Sequence, residues 1–167
     1  MTGYGIVARS NGSLRLLSCG TIRNNVSLPL PARLQRIYEN LRDLIRTYHP
    51  DEIAVESAFY GKNAQSALKL GHARGVSLLA AVQQGLRAAE YSPREVKKAV
   101  VGKGGATKQQ VQFMVKAILQ LSGTAMALDT SDAVAIALCH LQRMGLPHSH
   151  RADWATYVAA HPDRVRQ

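Results

Sequence analysis

Carboxylates are scarce in this chain: 11 Asp and Glu among 167 residues, so those at the ends of apolar segments carry information. Glu56 closes the short apolar run Ile53-Ala-Val55 and is followed by Ser57-Ala-Phe-Tyr60. Ligands of open α/β sheets gather beyond the carboxyl ends of strands, which is where such a glutamate stands. A solvated strand-end glutamate is the plainer account. Asp129 and Asp132 fall in Leu-Asp-Thr-Ser-Asp-Ala-Val-Ala-Ile-Ala, at a spacing that puts both on one side of a helix start. Helix capping is the plainer account there, since Asp suits the positive end of the dipole. Carboxylates brought to one point repel unless a divalent cation neutralises them, and hard oxygen donors select magnesium or manganese over zinc. Two such ions about 4 Å apart can clamp a phosphodiester for in-line attack by water. The histidines offer no rival metal site. His148 and His150 lie in a polar stretch after Pro147 without a third ligand at suitable spacing, and His140 reads as a core or surface residue at the far end of the last helix.

The elements that would position these acids follow from pattern. Tyr4 to Ala8 and Leu14 to Ile22 are strand-like, with Ser10-Asn11-Gly12 between them as a hairpin turn. From Ala32 to Tyr48, apolar residues recur at helical spacing among arginines, and Pro50 stops the helix. Glu52 to Glu56 is a strand, and Asn63 to Gly85 is a helix apolar almost all round. Two accounts of that helix stand open: a central core helix, or one shared between core and a dimer interface. A strand over Ala88 to Tyr91 and a short helix over Pro93 to Val101 lead into Gly102-Lys-Gly-Gly-Ala106. Thr107 and Gln110 form a capping-box pattern for a helix through Leu121. Thr130 or Ser131 is placed to cap a last helix running through Met144. This order predicts an α/β fold, a mixed sheet flanked by helices, over residues 1–146, with a basic tail over 147–167.

Composition bounds the partner. The formal charge is +10, the pI about 10.1 and the hydrophobic share 46%. Such a chain can bury a core, and its excess positive charge suits a polyanion, of which nucleic acid is the commonest. Cys19 and Cys139 have neither metal spacing nor the density of a disulfide framework, which fits a reducing, cytoplasmic setting. No apolar run is long enough for a membrane span, and the first residues do not read as a signal peptide.

Three long blocks resemble the RuvC family of Holliday-junction resolvases, in the family's order. They are Ala54-Val-Glu-Ser-Ala-Phe-Tyr-Gly-Lys-Asn-Ala-Gln-Ser-Ala-Leu-Lys-Leu-Gly-His-Ala-Arg-Gly-Val76, Val96-Lys-Lys-Ala-Val-Val-Gly-Lys-Gly-Gly-Ala-Thr-Lys-Gln-Gln-Val111 and Asp129-Thr-Ser-Asp-Ala-Val-Ala-Ile-Ala-Leu-Cys-His140. The opening Thr2-Gly-Tyr-Gly5 fits too, so the resemblance spans residues 2 to 144. It implies an RNase H-like fold and a homodimer that makes paired, metal-dependent nicks in four-way DNA junctions during recombination and repair. It also implies magnesium, with manganese possible, as two ions, and the RuvA and RuvB branch-migration complex as partners. Glu56, Asp129 and Asp132 then match metal-binding catalytic acids, and Phe59 matches an aromatic that stacks on an unpaired base, with Tyr60 assisting. Lys97 and Lys108 match basic residues near the scissile phosphate, and Lys62 and Lys103 complete a basic rim. Lys108 also opens a helix after a Gly-rich loop, an anion site that lacks the Gly-Lys-Ser/Thr of a Walker motif. The same resemblance favours the interface account of the helix from Asn63.

One departure is that family members carry a strand with a catalytic aspartate, in a Gly-Ile-Asp-Pro-Gly-like motif, ahead of Thr-Gly-Tyr-Gly. Here Met1 stands almost at that point and no acid precedes Glu39. The expectation drawn is a start assigned too far downstream and a chain impaired in cleavage. Three functions remain in play: the junction endonuclease, a non-catalytic junction-binding protein, and an RNase H-like nuclease for another branched DNA. Phe59 and the Gly-Lys-Gly-Gly-Ala-Thr-Lys loop favour the first over the third.

Overall fold

The hairpin forms where its turn residues place it. β1 (Thr2–Ser10) and β2 (Ser13–Ile22) pair antiparallel. Asn11 and Gly12 make the two-residue loop, both at positive φ, as a turn matching the strands' twist requires. A register shift at Ile6/Val7 bends the ribbon. The computed structural model describes residues 1–57, 64–121 and 125–144.

The hairpin leads into helix α1 (Leu30–Tyr48), which starts earlier than the sequence pattern suggests. Pro29 is the N-cap and Pro31 sits in the first turn, where a missing N–H costs nothing. His49 ends the helix in the left-handed region, just ahead of Pro50. β3 (Glu52–Glu56) follows, then α2 (Ala64–Gln83), and β4 (Arg87–Tyr91) pairs parallel with β3 so that Glu56 lies opposite Tyr91. α3 (Pro93–Val101) and α4 (Lys108–Ile118) both begin in complete capping boxes, Ser92 with Glu95 and Thr107 with Gln110.

The last helix, α5 (Leu128–Arg143), corrects the expected cap. Ala127 is the N-cap and no side chain caps it, while Thr130 and Ser131 are buried inside the first turn. Asp129 therefore sits in that first turn, near the positive dipole end, without closing the helix. α2 departs from all-round burial: Ser77, Ala80 and Ala81 are buried, but Leu68, Leu79 and Val82 are exposed.

The sheet is divided among the described residues. β1–β2 and β3–β4 are separate two-stranded units, one antiparallel and one parallel, and α5 packs against both. Glycine lets it approach β1 closely. A Cβ on Gly3 would stand 2.2 Å from the Asp129 carbonyl oxygen, and one on Gly5 would stand 2.5 Å from Val134 Cγ2. Further along, the Arg9 guanidinium donates to the Leu141 carbonyl, so α5 runs alongside β1 in the same direction. The core lies under this helix: Val134, Ala135, Leu138 and Cys139 are fully buried and join Tyr91, Val96, Val100, Val111 and Val115.

Polar ties fix the far end of α5. Tyr91 Oη lies 2.9 Å from His140 Nδ1, and His140 Nε2 lies 3.1 Å from the Glu52 carboxylate, outside hydrogen-bond geometry. A tautomer with its proton on Nε2 suits both neighbours. Arg143 lies over the Tyr91 ring and pairs with Glu95.

The Glu95 carboxyl is held below its usual range, first by the Ser92 backbone N–H and hydroxyl and then by Arg143. A depressed carboxyl pKa contributes stability above its unfolded value and loses it as pH falls through the folded one. Glu95→Gln is therefore expected to lower the melting temperature at neutral pH. The gap from the parent should close on acidification below the usual carboxylate range, in thermal melts taken across pH.

Candidate active site

β3 carries Glu56 at its carboxyl end after a half-buried apolar run, and the Ser57 N–H just beyond it still donates to the Tyr91 carbonyl of β4. Asp132 follows Asp129 by one helical turn on α5, so both carboxylates lie near the end of the helix that faces β3's exit. The chain directions agree: α5 runs counter to β3, with Asp132 acting on Glu56 at one end and His140 beside Glu52 at the other.

The electrostatics bind the group together. Burial pushes the Glu56 carboxyl up, and the Asp132 charge pushes it further, while Lys108 and Lys97 pull it back. Glu56 remains open to water on one side, which screens and moderates these effects. Lys108 Nζ donates to Asp132 Oδ2 at 2.7 Å, and that bond chiefly raises the lysine's pKa, with Asp129 and Glu56 adding to it. The capping box at Thr107 fixes the first turn of α4 and so presents Lys108. Lys97 comes from α3, so lysines from two helices flank acids from a strand and a third helix.

This places the sequence candidates unequally. Glu56, Asp132, Asp129, Lys97 and Lys108 form one electrostatic neighbourhood. Lys103 is exposed on the loop after α3 and is not among the charges acting on Glu56. Phe59, Tyr60 and Lys62 lie outside the described residues, as does the segment 147–167. Sequence reasoning used Gly3 and Gly5 only for resemblance and missed that they seat the acid-bearing helix. Alternating glycines in a strand were the available signal, because they mark close backbone approach.

The donor set fits a divalent cation in kind. Glu56, Asp129 and Asp132 offer only hard oxygens, and burial first and the Asp132 charge second push the Glu56 carboxyl up, a penalty on the ionised form that a bound cation would offset. Among the described residues, no three His, Cys, Asp or Glu side chains close to the spacing of a metal cage. Cys19 and Cys139 are free thiols, apart from this site. No described helix is long and apolar enough to cross a membrane.

Known proteins resemble the chain throughout. The family model for crossover junction endodeoxyribonuclease RuvC matches residues 1–140. A relative of that name from Pelobacter propionicus is 49% identical, over 99% of this chain and 89% of its own. One from Salinibacter ruber is 46% identical, over 99% and 93%. Among solved structures, Thermus thermophilus RuvC superposes with TM-score 0.76 at 34% identity, covering 86% of this chain and 89% of its own. The same organism's RuvC in complex with Holliday junction substrate superposes at 0.79, also 34% identical, covering 86% and 88%.

A raised carboxyl pKa has the opposite consequence for stability from that of Glu95. Its contribution is present below the unfolded pKa and lost as pH rises through the folded one. Without divalent cations, Glu56→Gln should therefore melt higher than the parent at neutral pH, and the difference should vanish in acid where both are uncharged. A variant no more stable than the parent at neutral pH would contradict the crowding of charge described at this site.

Proposed function

The chain belongs to the RuvC family of crossover junction endodeoxyribonucleases, and from that premise we propose that Glu56, Asp129 and Asp132 are the acids with which it resolves Holliday junctions. The reaction is hydrolysis of phosphodiesters by paired nicks in a four-way DNA junction, in recombination and repair. The observation that carries the assignment is the charge coupling of strand-end Glu56 to Asp132 on α5, with Lys97 and Lys108 beside them. The relatives favour this nuclease over the non-catalytic junction binder.

Each residue has work that its position suits. Glu56, Asp129 and Asp132 would hold divalent magnesium, or manganese, as one or two ions. When bound, the metal supplies Lewis-acid polarisation of the phosphate and a more acidic water. Lys97 and Lys108 attract the scissile phosphate and offset the negative charge around it. Lys108 is tied to Asp132, which would be one of the residues holding the cation, so its ammonium stands beside the place where the phosphate would lie. Phe59 stacks on a base unpaired at the junction, Tyr60 assists it, and Lys62 and Lys103 hold flanking phosphates. That assignment rests on the family match and the +10 charge.

We further propose a homodimer joined through α2, RuvA and RuvB as partners, and a cytoplasmic location. α2 supports the first: Leu68, Leu79 and Val82 lie exposed at helical spacing, and Gly71 and Gly75 on the same face have no heavy atom within 4 Å of where a Cβ would be. A second copy could approach that backbone closely. Paired nicks also need two sites.

Nicking of a synthetic four-way junction, set against a duplex of the same sequence, tests the function. Magnesium-dependent nicking of the junction alone is expected, slow in this chain because the family's first-strand aspartate has no counterpart in it, and lower again by on the order of a hundredfold in Glu56→Gln or Asp132→Asn. Equal nicking by parent and both variants would remove these acids from the centre. For the interface, Leu79→Lys should weaken dimerisation by at least about tenfold in sedimentation equilibrium. Its melting temperature at low protein concentration should stay near the parent's, because Leu79 is exposed in the single chain.

A further inference from the structure

Asp129 is held in place by a residue with no side chain. Gly3 on β1 stands against the Asp129 main chain: a Cβ there would lie 2.2 Å from the carbonyl oxygen, 2.9 Å from the carbonyl carbon and 3.5 Å from Ala133 Cβ. The first two neighbours are backbone, so no rotamer change can make room. Carbon and oxygen need well over 3 Å between them, so the start of α5 would have to retreat by about 1 Å. Gly5 repeats the arrangement one helical turn on, where a Cβ would meet Val134 Cγ2 at 2.5 Å, its Cα at 2.9 Å and its nitrogen at 3.0 Å.

Neither glycine needs its backbone freedom for this, because both lie within a paired strand at ordinary negative φ. Other glycines differ. Gly12, Gly85 and Gly102 have positive φ and nothing within 4 Å of a Cβ, so they serve turns and a helix end. Gly20 faces only the Tyr4 ring, which can move. Gly3 and Gly5 alone among the described glycines face the main chain of the helix that carries the two aspartates.

The contact sits where it controls the site. Asp129 has no capping side chain to anchor its turn, since Ala127 is the N-cap. The turn is held from inside by Ser131, whose hydroxyl donates to the Leu128 carbonyl, and from the strand side by Gly3. Glu56 is carried by β3, which is not hydrogen-bonded to β1 among the described residues. The separation of Asp129 from Glu56 therefore depends on how deeply α5 seats on β1.

We infer that Gly3 is a positioning residue for the acid pair on α5, setting the depth of Asp129 and thereby the site's hold on a divalent cation. Gly5 fixes the next turn and keeps the helix from tilting about that point. The inference rests on the carboxylate site proposed above.

Manganese binding to the full chain, read by electron paramagnetic resonance without DNA, is the test, because it needs no turnover. The parent should bind Mn2+, and Gly3→Ala should bind it at least about tenfold more weakly, the scale on which supporting residues affect metal sites. Junction affinity measured in EDTA should not change, so any nicking defect should appear in kcat and not in KM. Val115→Ala, a cavity in α4 away from this contact, serves as a destabilised control and should bind Mn2+ like the parent. A folded Gly3→Ala that binds Mn2+ as tightly as the parent overturns the inference while leaving the carboxylate site standing. So does equal weakening in Val115→Ala, which would mean general loosening. A parent that binds no Mn2+ sinks the carboxylate site and the inference with it. If Gly3→Ala does not fold, Ala133→Ser sets a smaller wedge into the same contact from the helix side. A smaller loss of Mn2+ affinity supports the inference there, and an unchanged affinity overturns it.

Discussion

The contact between α5 and the bare backbone of β1 organises this molecule. At Gly3 and Gly5 the strand presents no side chain to the start of α5, so the helix there approaches the main chain of β1 closely. Larger residues on the helix then turn toward the other elements. Val134, Ala135, Leu138 and Cys139 are fully buried, and α5 contacts both strand pairs, α3 and α4. β1–β2 and β3–β4 share no hydrogen bonds among the described residues, and α5 bridges them directly, with α1 packed on β2 and α2 on β3 and β4 as a second link. A helix burying that much apolar surface is a strong tie, because each fully buried aliphatic side chain contributes about 1.5–3 kcal/mol.

The two ends of this helix have opposite chemistry. At its start, acids gather in a protein of net charge +10, and burial together with the neighbouring Asp132 charge raises the Glu56 carboxyl. Lysines from α3 and α4 offset part of it, so the site is costly to the fold yet suited to a cation and a phosphate. At its far end, among the described residues, Arg143 pairs with Glu95 and the His140 ring lies between Tyr91 and Glu52. Stabilising ties at one end allow strain at the other, a division common where function requires like charges to meet.

The basic surface and the exposed face of α2 extend the same division outward. Long-range attraction follows the net charge, so a protein of this balance draws a polyanion even where acids gather locally. The face of α2 with Gly71 and Gly75 is apolar and open, and nothing in the described fold covers it.

Local chemistry was legible in the sequence. The hairpin turn at Asn11-Gly12, the capping boxes at Ser92 and Thr107, and the stop at Pro50 depend on residues within a few positions of one another, so pattern sufficed. The family was legible because long blocks keep their order. What the sequence could not show was distance between remote segments. It offered Thr130 or Ser131 as a cap, and burial against the core took both into the helix instead. It left α2 between two accounts, because an apolar residue looks the same whether this chain or a second one covers it. It named Gly3 without a reason, since the reason is the Asp129 carbonyl, brought there by folding from the other end of the chain. Whether Asp132 would cap a helix or press on Glu56 was likewise settled by the tertiary structure, which set α5 across the exit of β3.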